Sequence, residues 1–270
     1  MNSKTLLDSK IAKYNLTNEI VKYCQKLDQK GFGANHDGNI SVKCGSELLA
    51  TPTAVSKGNV IADIVITLDM QGNKISGVGK TFSEIKLHLA AYQARADVKA
   101  VVHAHPPFAT ARGLLHFPIK PALPEAIISI GDIVPVVAFS IPGTPKNEAV
   151  VAESLKEVDV FMIPGNGVFA VGDSIEQAYL RLELVEHLAK MDYYARTMGT
   201  PMELANEDIA GLLKKRAAAG LGTKNVANIV METKTTSTQS IEIASSKTED
   251  PQLNAIKDLI AAELRKIIGN

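Results

Sequence analysis

The sequence predicts a mixed α/β protein in which at least part of the sheet is antiparallel. Three observations carry this. Residues 80–110 switch from helical spacing to a short β-branched run. Val65-Ile66-Thr67-Leu68 and Lys74-Ile75-Ser76 flank Gln71-Gly72-Asn73, the pattern of a hairpin. Helical apolar stripes bracket the whole, from Ile20 to Leu27 and from Ala178 to Ala189. At 270 residues the chain can bury a real core.

The elements follow in order. Leu16-Thr17-Asn18 with Ile20, Val21, Cys24 and Leu27 reads as an amphipathic helix ended by Gly31-x-Gly33. The polar turn Ala34 to Asn39 feeds a strand over Ile40 to Lys43, and Leu48-Leu49-Ala50 is a second strand leading into Thr51-Pro52-Thr53. After the hairpin, Thr81-x-x-Glu84 has the spacing of a reciprocal N-terminal cap. Leu87, Ala90, Ala91 and Ala94 then give the new helix a buried face. Ala100-Val101-Val102-His103-Ala104-His105 is a strand stopped by Pro106-Pro107. Pro124 opens a short helix, Val134 to Phe139 reads as a strand, and Glu148 to Glu157 is helical in pattern. Val158–Ile163 and Val168–Val171 are strands around Pro164-Gly165-Asn166-Gly167. Asp173-x-x-Glu176 caps a long helix to about Met198, and a last helix runs from about Leu204 to Ala219.

Composition changes after residue 221. Residues 222–251 are rich in Thr, Ser, Lys and Asn without sustained period, which predicts a flexible linker. In residues 252–270, Leu253, Ile256, Leu259, Ile260, Leu264, Ile267 and Ile268 share one helical stripe. So short a helix needs a surface to bury against, either its own domain or a partner. The domain expectation is therefore 1–221, 222–251 and 252–270. Formal net charge is zero with no basic stripe, which argues against nucleic acid. Cys24 and Cys44 make no disulfide framework and no Cys-x-x-Cys knuckle. No signal peptide or membrane span is evident, so a soluble, cytoplasmic protein is expected.

The chemistry concentrates in residues 84–105. Side chains alternate along a strand, so His103 and His105 point the same way, about 6–7 Å apart along the backbone. Two imidazoles can converge there on a divalent ion, although strand histidines are often merely half exposed or hydrogen-bonded. Glu84 alone is explained by capping. Its helix leads directly into the histidine strand, however, so the carboxylate can reach the same face as general base or ligand. Gly38-Asn39-x-Ser41 and Thr51-Pro52-Thr53 offer amides and hydroxyls that suit a phosphate, and equally suit ordinary turns. Ser83 lies at a helix N-terminus, which favours an anion. His36, His88, His116 and His187 have no partner at ligand spacing and read as structural or solvated.

Taken together, these stretches resemble the class II sugar-phosphate aldolases of the fuculose-phosphate aldolase and adducin-head type. The matching segments are Gly38-Asn39-Ile40-Ser41, Thr51-Pro52-Thr53, Ser83-Glu84 with His88-Leu89-Ala90-Ala91-Tyr92, Ala100 to His105, and Gly165-Asn166-Gly167-Val168. They stand in the family's order across residues 15–215. The resemblance implies a three-layer α/β/α fold with a mostly antiparallel central sheet, and a homotetramer with active sites at subunit interfaces. It makes His103 and His105 metal ligands and Glu84 the catalytic acid/base, with Gly38, Asn39, Thr53 and Ser83 on the substrate phosphate. It implies one divalent metal per subunit, zinc first. Asn166 stands where the family has its third histidine ligand. An amide oxygen there suits Mg²⁺ or Mn²⁺ better than zinc. Phe82 replaces a family serine, and Pro124 or Glu125 stands in place of an acid tyrosine.

The activity implied is retro-aldol cleavage of a ketose 1-phosphate, fuculose or rhamnulose type, to dihydroxyacetone phosphate and a small aldehyde such as lactaldehyde. An epimerase or decarboxylase on the same scaffold, or a non-catalytic adducin-like assembly module, are the rival readings. The tail resembles the encapsulation peptides of bacterial microcompartments. That resemblance adds shell proteins as partners of residues 252–270, and the microcompartment lumen as a location.

Overall fold

The computed structural model describes residues 3–141 and 143–223. In chain order the elements are α1 (Ser3–Gln29), β1 (Asn39–Cys44), β2 (Glu47–Ala50), β3 (Ile66–Asp69), β4 (Lys74–Ser76), α2 (Ile85–Ala94), β5 (Ala100–Ala104) and α3 (Pro107–Leu114). They continue with α4 (Pro124–Ile130), α5 (Pro145–Ser154), β6 (Val160–Met162), β7 (Val168–Gly172), α6 (Ile175–Met198) and α7 (Asn206–Ala218). The strands form a seven-stranded sheet in the order β4-β3-β2-β1-β5-β7-β6. Every neighbouring pair runs antiparallel. The expectation of a mixed α/β fold with a mostly antiparallel sheet therefore holds.

Alternation along the strands divides the core in two. Ile40, Val42, Ala100, Val102 and Ala170 face α1 and α6, meeting Ile20, Leu27, Leu182 and Val185. Leu48, Ile66, Val101, Phe161 and Phe169 face the other way, against Leu87 and Ala91 of α2, Val151 of α5 and Leu155 just past its end. Three layers result, with the sheet buried on both sides, which is why the inner strands read as continuous apolar runs.

Four local expectations are corrected. The first helix begins at Ser3, well before Leu16. Its early turns leave Leu7, Ile11 and Tyr14 exposed, so no burying face signals them. Thr81 does not cap α2. Glu84 itself is the N-cap residue, with no side-chain cap bond, and Thr81 pairs with Pro52 in an isolated bridge. Val134–Phe139 is not a strand. Single bridges join Ile119 to Val134 and Val136 to Met162, and Pro135 lacks the N–H a ladder needs. At α6 the cap is Ser174, whose hydroxyl accepts from the Gln177 amide, one residue past Asp173. Apart from Gly222 and Thr223, the linker and terminal helix expected over 222–251 and 252–270 lie outside the described residues.

A buried carboxylate fastens the helices to one end of the sheet. Asp159, fully buried just before β6, meets Arg95 at 2.6 Å, Arg181 at 2.9 Å and Arg216 at 2.7 Å. These come from the end of α2, from α6 and from α7. Arg216 also donates to the carbonyls of Ile128 and Ser129, which fixes α7 against the end of α4. Removing Asp159 leaves three guanidinium groups facing each other, of which Arg95 keeps a second carboxylate, Asp97. Asp159→Ala is expected to destabilise the fold by roughly 3–5 kcal/mol. The measurement is the urea midpoint at unchanged slope. A loss below about 1 kcal/mol would show that the arginines find other acceptors.

Candidate active site

β1 and β5 are paired so that Asn39 lies opposite His103 and Ser41 opposite Val101. These residues face α2, whose N-cap residue, Glu84, comes to the same place. Gly38, just before β1, has φ +81, and a Cβ there would stand 3.0 Å from the His103 carbonyl. Only glycine lets the turn lie this close. Beyond β5, α3 holds the chain after His105: the Glu186 carboxylate of α6 accepts from the amides of Phe108 at 3.1 Å and Ala109 at 2.8 Å. Gly167 closes the third side. A Cβ on it would come within 2.2 Å of the Ala104 carbonyl and 2.6 Å of His105 Cδ2.

Within this frame Glu84 is the hub. Oε1 accepts from Asn166 Nδ2 at 2.6 Å, and Oε2 accepts from Asn39 Nδ2 at 2.9 Å. Oε2 also lies 3.0 Å from His103 Nδ1. Burial disfavours the Glu84 charge. The His103 imidazole and the bonds from His103, Asn166 and Asn39 outweigh it and hold the carboxyl well below the usual carboxylate range. His103 is fully buried, and its Nε2 meets the Asn166 backbone carbonyl at 2.6 Å. Both of its nitrogens thus face acceptors. Burial opposes its protonation, but the Glu84 charge and these bonds raise its pKa.

His105 does lie beside His103, with ring centroids 5.3 Å apart. Its Nδ1 is 3.4 Å from Asp37 Oδ2. Burial and the neighbouring His103 charge lower its pKa, with Asp37 and Glu84 opposing. The loop bearing Asp37 rests on Lys57, which is almost wholly buried and donates to the carbonyls of Val55 at 2.8 Å and His36 at 3.3 Å.

The residues expected on a phosphate separate into two sets. Thr53 and Ser83 are exposed, and their segments are joined by the Pro52–Thr81 bridge and by the Thr53 amide donating to the Lys80 carbonyl. Asn39 instead spends both ends of its amide internally, Nδ2 on Glu84 and Oδ1 on His88 Nε2 at 2.6 Å. Glu125 is exposed in the first turn of α4.

His88 and Asp37 are the residues that sequence reasoning did not bring to the site. A signal for His88 was present, because it lies four residues after Glu84 and so on the same helical face. It is fully buried between Phe82 and Phe169, with Nδ1 2.7 Å from Ser41 Oγ, and that hydroxyl is 2.7 Å from Tyr92 OH. Burial, reinforced by the His103 charge, pushes its pKa down to about 3, against the pull of Glu84.

These residues fall within the stretch matched by a family model. Residues 18–193 match the class II aldolase and adducin N-terminal domain. The chain belongs to the class II aldolase and adducin family. It is 30% identical over 177 residues to the L-fuculose phosphate aldolase of Methanococcus maripaludis, covering 65% of this chain and 94% of that protein. It is 27% identical over 199 residues to the 5-deoxy-D-ribulose 1-phosphate aldolase of Bacillus thuringiensis, covering 73% and 93%. Among solved structures, YgbL of Escherichia coli, described as a putative aldolase/epimerase/decarboxylase, superposes with a TM-score of 0.68 at 28% identity. That match covers 74% of this chain and 98% of that one. No helix among the described residues is long and apolar enough to cross a membrane.

Class II aldolases use a divalent metal, and the donor chemistry here fits one: two imidazoles, one carboxylate and the Asn166 carbonyl. Glu84, His103 and Asn166 bond one another, while His105 stands beside Asp37. Among the described residues no three His, Cys, Asp or Glu side chains converge at ligand spacing. Asn166 turns its amide nitrogen, rather than its oxygen, toward Glu84.

The neutral His88 makes stability pH-dependent. Its folded pKa lies below the unfolded value of 6.5, so its contribution is complete above about pH 6.5 and is lost as pH falls toward about 3. Unfolding free energy is expected to decline across that window in wild type and to decline less in His88→Gln. Parallel curves from urea titrations would remove His88 from this role.

Proposed function

We propose that this chain cleaves a ketose 1-phosphate by a retro-aldol reaction, giving dihydroxyacetone phosphate and a small aldehyde such as lactaldehyde. The observation that carries this reading is Glu84, an ionised carboxylate beside the paired histidines on the scaffold of this family. Breaking the C3–C4 bond needs a base for the C4 hydroxyl proton and leaves negative charge on the ketone fragment. Glu84 would accept that proton and return one to the fragment. The Asn39 and Asn166 amides keep its two oxygens aimed while it does so. His103 and His105, with Asn166 as the third candidate, are the residues that would hold a divalent ion, zinc first and Mg²⁺ or Mn²⁺ next. Once bound it supplies a Lewis acid for the developing enediolate. Thr53 and Ser83, exposed on adjoining segments, would hold the substrate phosphate, with Gly38 and the Asn39 backbone beside them.

The assay is dihydroxyacetone phosphate release from ketose 1-phosphates, paired with the metal content of protein purified without chelator. Glu84→Gln is expected to keep the metal and lose most turnover, on the order of 100-fold or more. Turnover retained in Glu84→Gln would remove Glu84 from the role. The YgbL likeness supports epimerase or decarboxylase chemistry as the second reading, which product analysis separates. A metal-free, inactive protein would point to the adducin-like assembly module.

We further propose a homotetramer whose subunit contacts border the site. Leu114, Leu115 and Phe117 are each more than half exposed, and Leu114 lies against Gly165, next to Asn166. The apolar stripe of residues 252–270 suits a shell protein, with residues 222–251 as its tether, and would place this cytoplasmic enzyme in a microcompartment lumen. Deleting 251–270 is expected to leave the activity and the tetramer sedimentation unchanged while abolishing co-purification with shells. Undiminished shell association would reject the tail assignment, and a monomer by sedimentation would reject the assembly.

A further inference from the structure

We propose that His88 is a positioning residue for Glu84, acting through Asn39. The inference rests on the reading of Glu84 as the proton-transfer group. It comes from the direction of the hydrogen bonds that run from Glu84 into the core. Carboxylate oxygens only accept, so Asn39 must present Nδ2 to Glu84 Oε2 and Oδ1 to His88. His88 Nε2 must then carry a hydrogen and donate. The ring is neutral and enclosed, so Nδ1 is bare and accepts from the Ser41 hydroxyl, which in turn accepts from Tyr92 OH.

Every donor along this chain therefore points toward Glu84. The opposite His88 tautomer would let Asn39 turn over and set Oδ1 against Oε2, two acceptors about 3 Å apart. Asn39 cannot pass a proton along, so the chain orients the carboxylate and does not conduct to it. Phe82 and Phe169, with ring centroids 4.9 and 5.5 Å from that of His88, leave the imidazole no other polar partner on those sides.

The test compares His88→Phe, which suits the aromatic surroundings but cannot donate, with His88→Gln, whose amide nitrogen reaches the Nε2 position. Both are read as kcat and KM for ketose 1-phosphate cleavage, beside circular dichroism. The expected result is a fall in kcat of about 10-fold to 100-fold with little change in KM for His88→Phe, and substantial recovery in His88→Gln. A merely structural role would lower the melting temperature of both and leave kcat per folded molecule alone. That result overturns the proposal. Should His88→Phe not fold, Ser41→Ala, which frees the tautomer, takes its place with the same expectation for kcat. Side-chain nitrogen NMR gives an answer independent of turnover. In wild type it should show a hydrogen on Nε2, a bare Nδ1, and slowly exchanging Asn39 amide protons that exchange fast in the variant. A hydrogen on Nδ1 in wild type, or unchanged Asn39 exchange in the variant, overturns the proposal. Absent turnover with the expected spectra refutes the aldolase reading instead.

Discussion

A carboxylate can stay charged inside a protein only where donors replace the water it has lost, and Glu84 sets that requirement for the whole site. Its charge draws one amide from the start of β1, one from the turn before β7, and an imidazole from β5. Three segments far apart in the chain are thus held to the first turn of α2. Leaving such a charge without partners would cost several kcal/mol. The four groups are consequently a unit, and none can be moved without exposing a fault in the others.

The sheet makes this convergence possible. Because β1 and β5 are antiparallel neighbours, Asn39 and His103 face one another directly, and their shared face is the one α2 covers. The apolar core of the other face, against α1 and α6, supplies packing. At the other end of α2 the hub is again a carboxylate: buried Asp159 serves three arginines. Two ionic clusters thus fix α2, one at each end: Glu84, just before its first residue, supplies the anion to one, and Arg95, just after its last, a cation to the other.

Much of this was readable from residue order alone. Strand alternation put the His103 and His105 rings together, and the step from the Glu84 helix into that strand put the carboxylate nearby. What stayed hidden was competition for side-chain atoms. Thr81-x-x-Glu84 has capping spacing, but the carboxylate finds an imidazole and two amides, which outbid a backbone N–H at a helix end. Asn39 looked like a turn residue open to phosphate, yet its amide is used at both ends inside the fold. Val134 to Phe139 carried strand residues, but Pro135 removed a ladder donor. Spacing shows which groups can meet. It does not show which of several willing partners a donor takes.

Asn166 shows how one side chain alters the character of such a centre. An imidazole at that position offers a lone pair, which attracts a cation. The amide offers an N–H, and here it is aimed at an anion, Glu84 Oε1 at 2.6 Å. Its backbone carbonyl meanwhile accepts from His103 Nε2. The residue therefore supports the two members of the ion pair at once, each with the group of opposite polarity. An incoming divalent ion would have to compete with that arrangement for both His103 and Glu84. Through those bonds Asn166 would oppose such an ion, whether or not its own oxygen touched it.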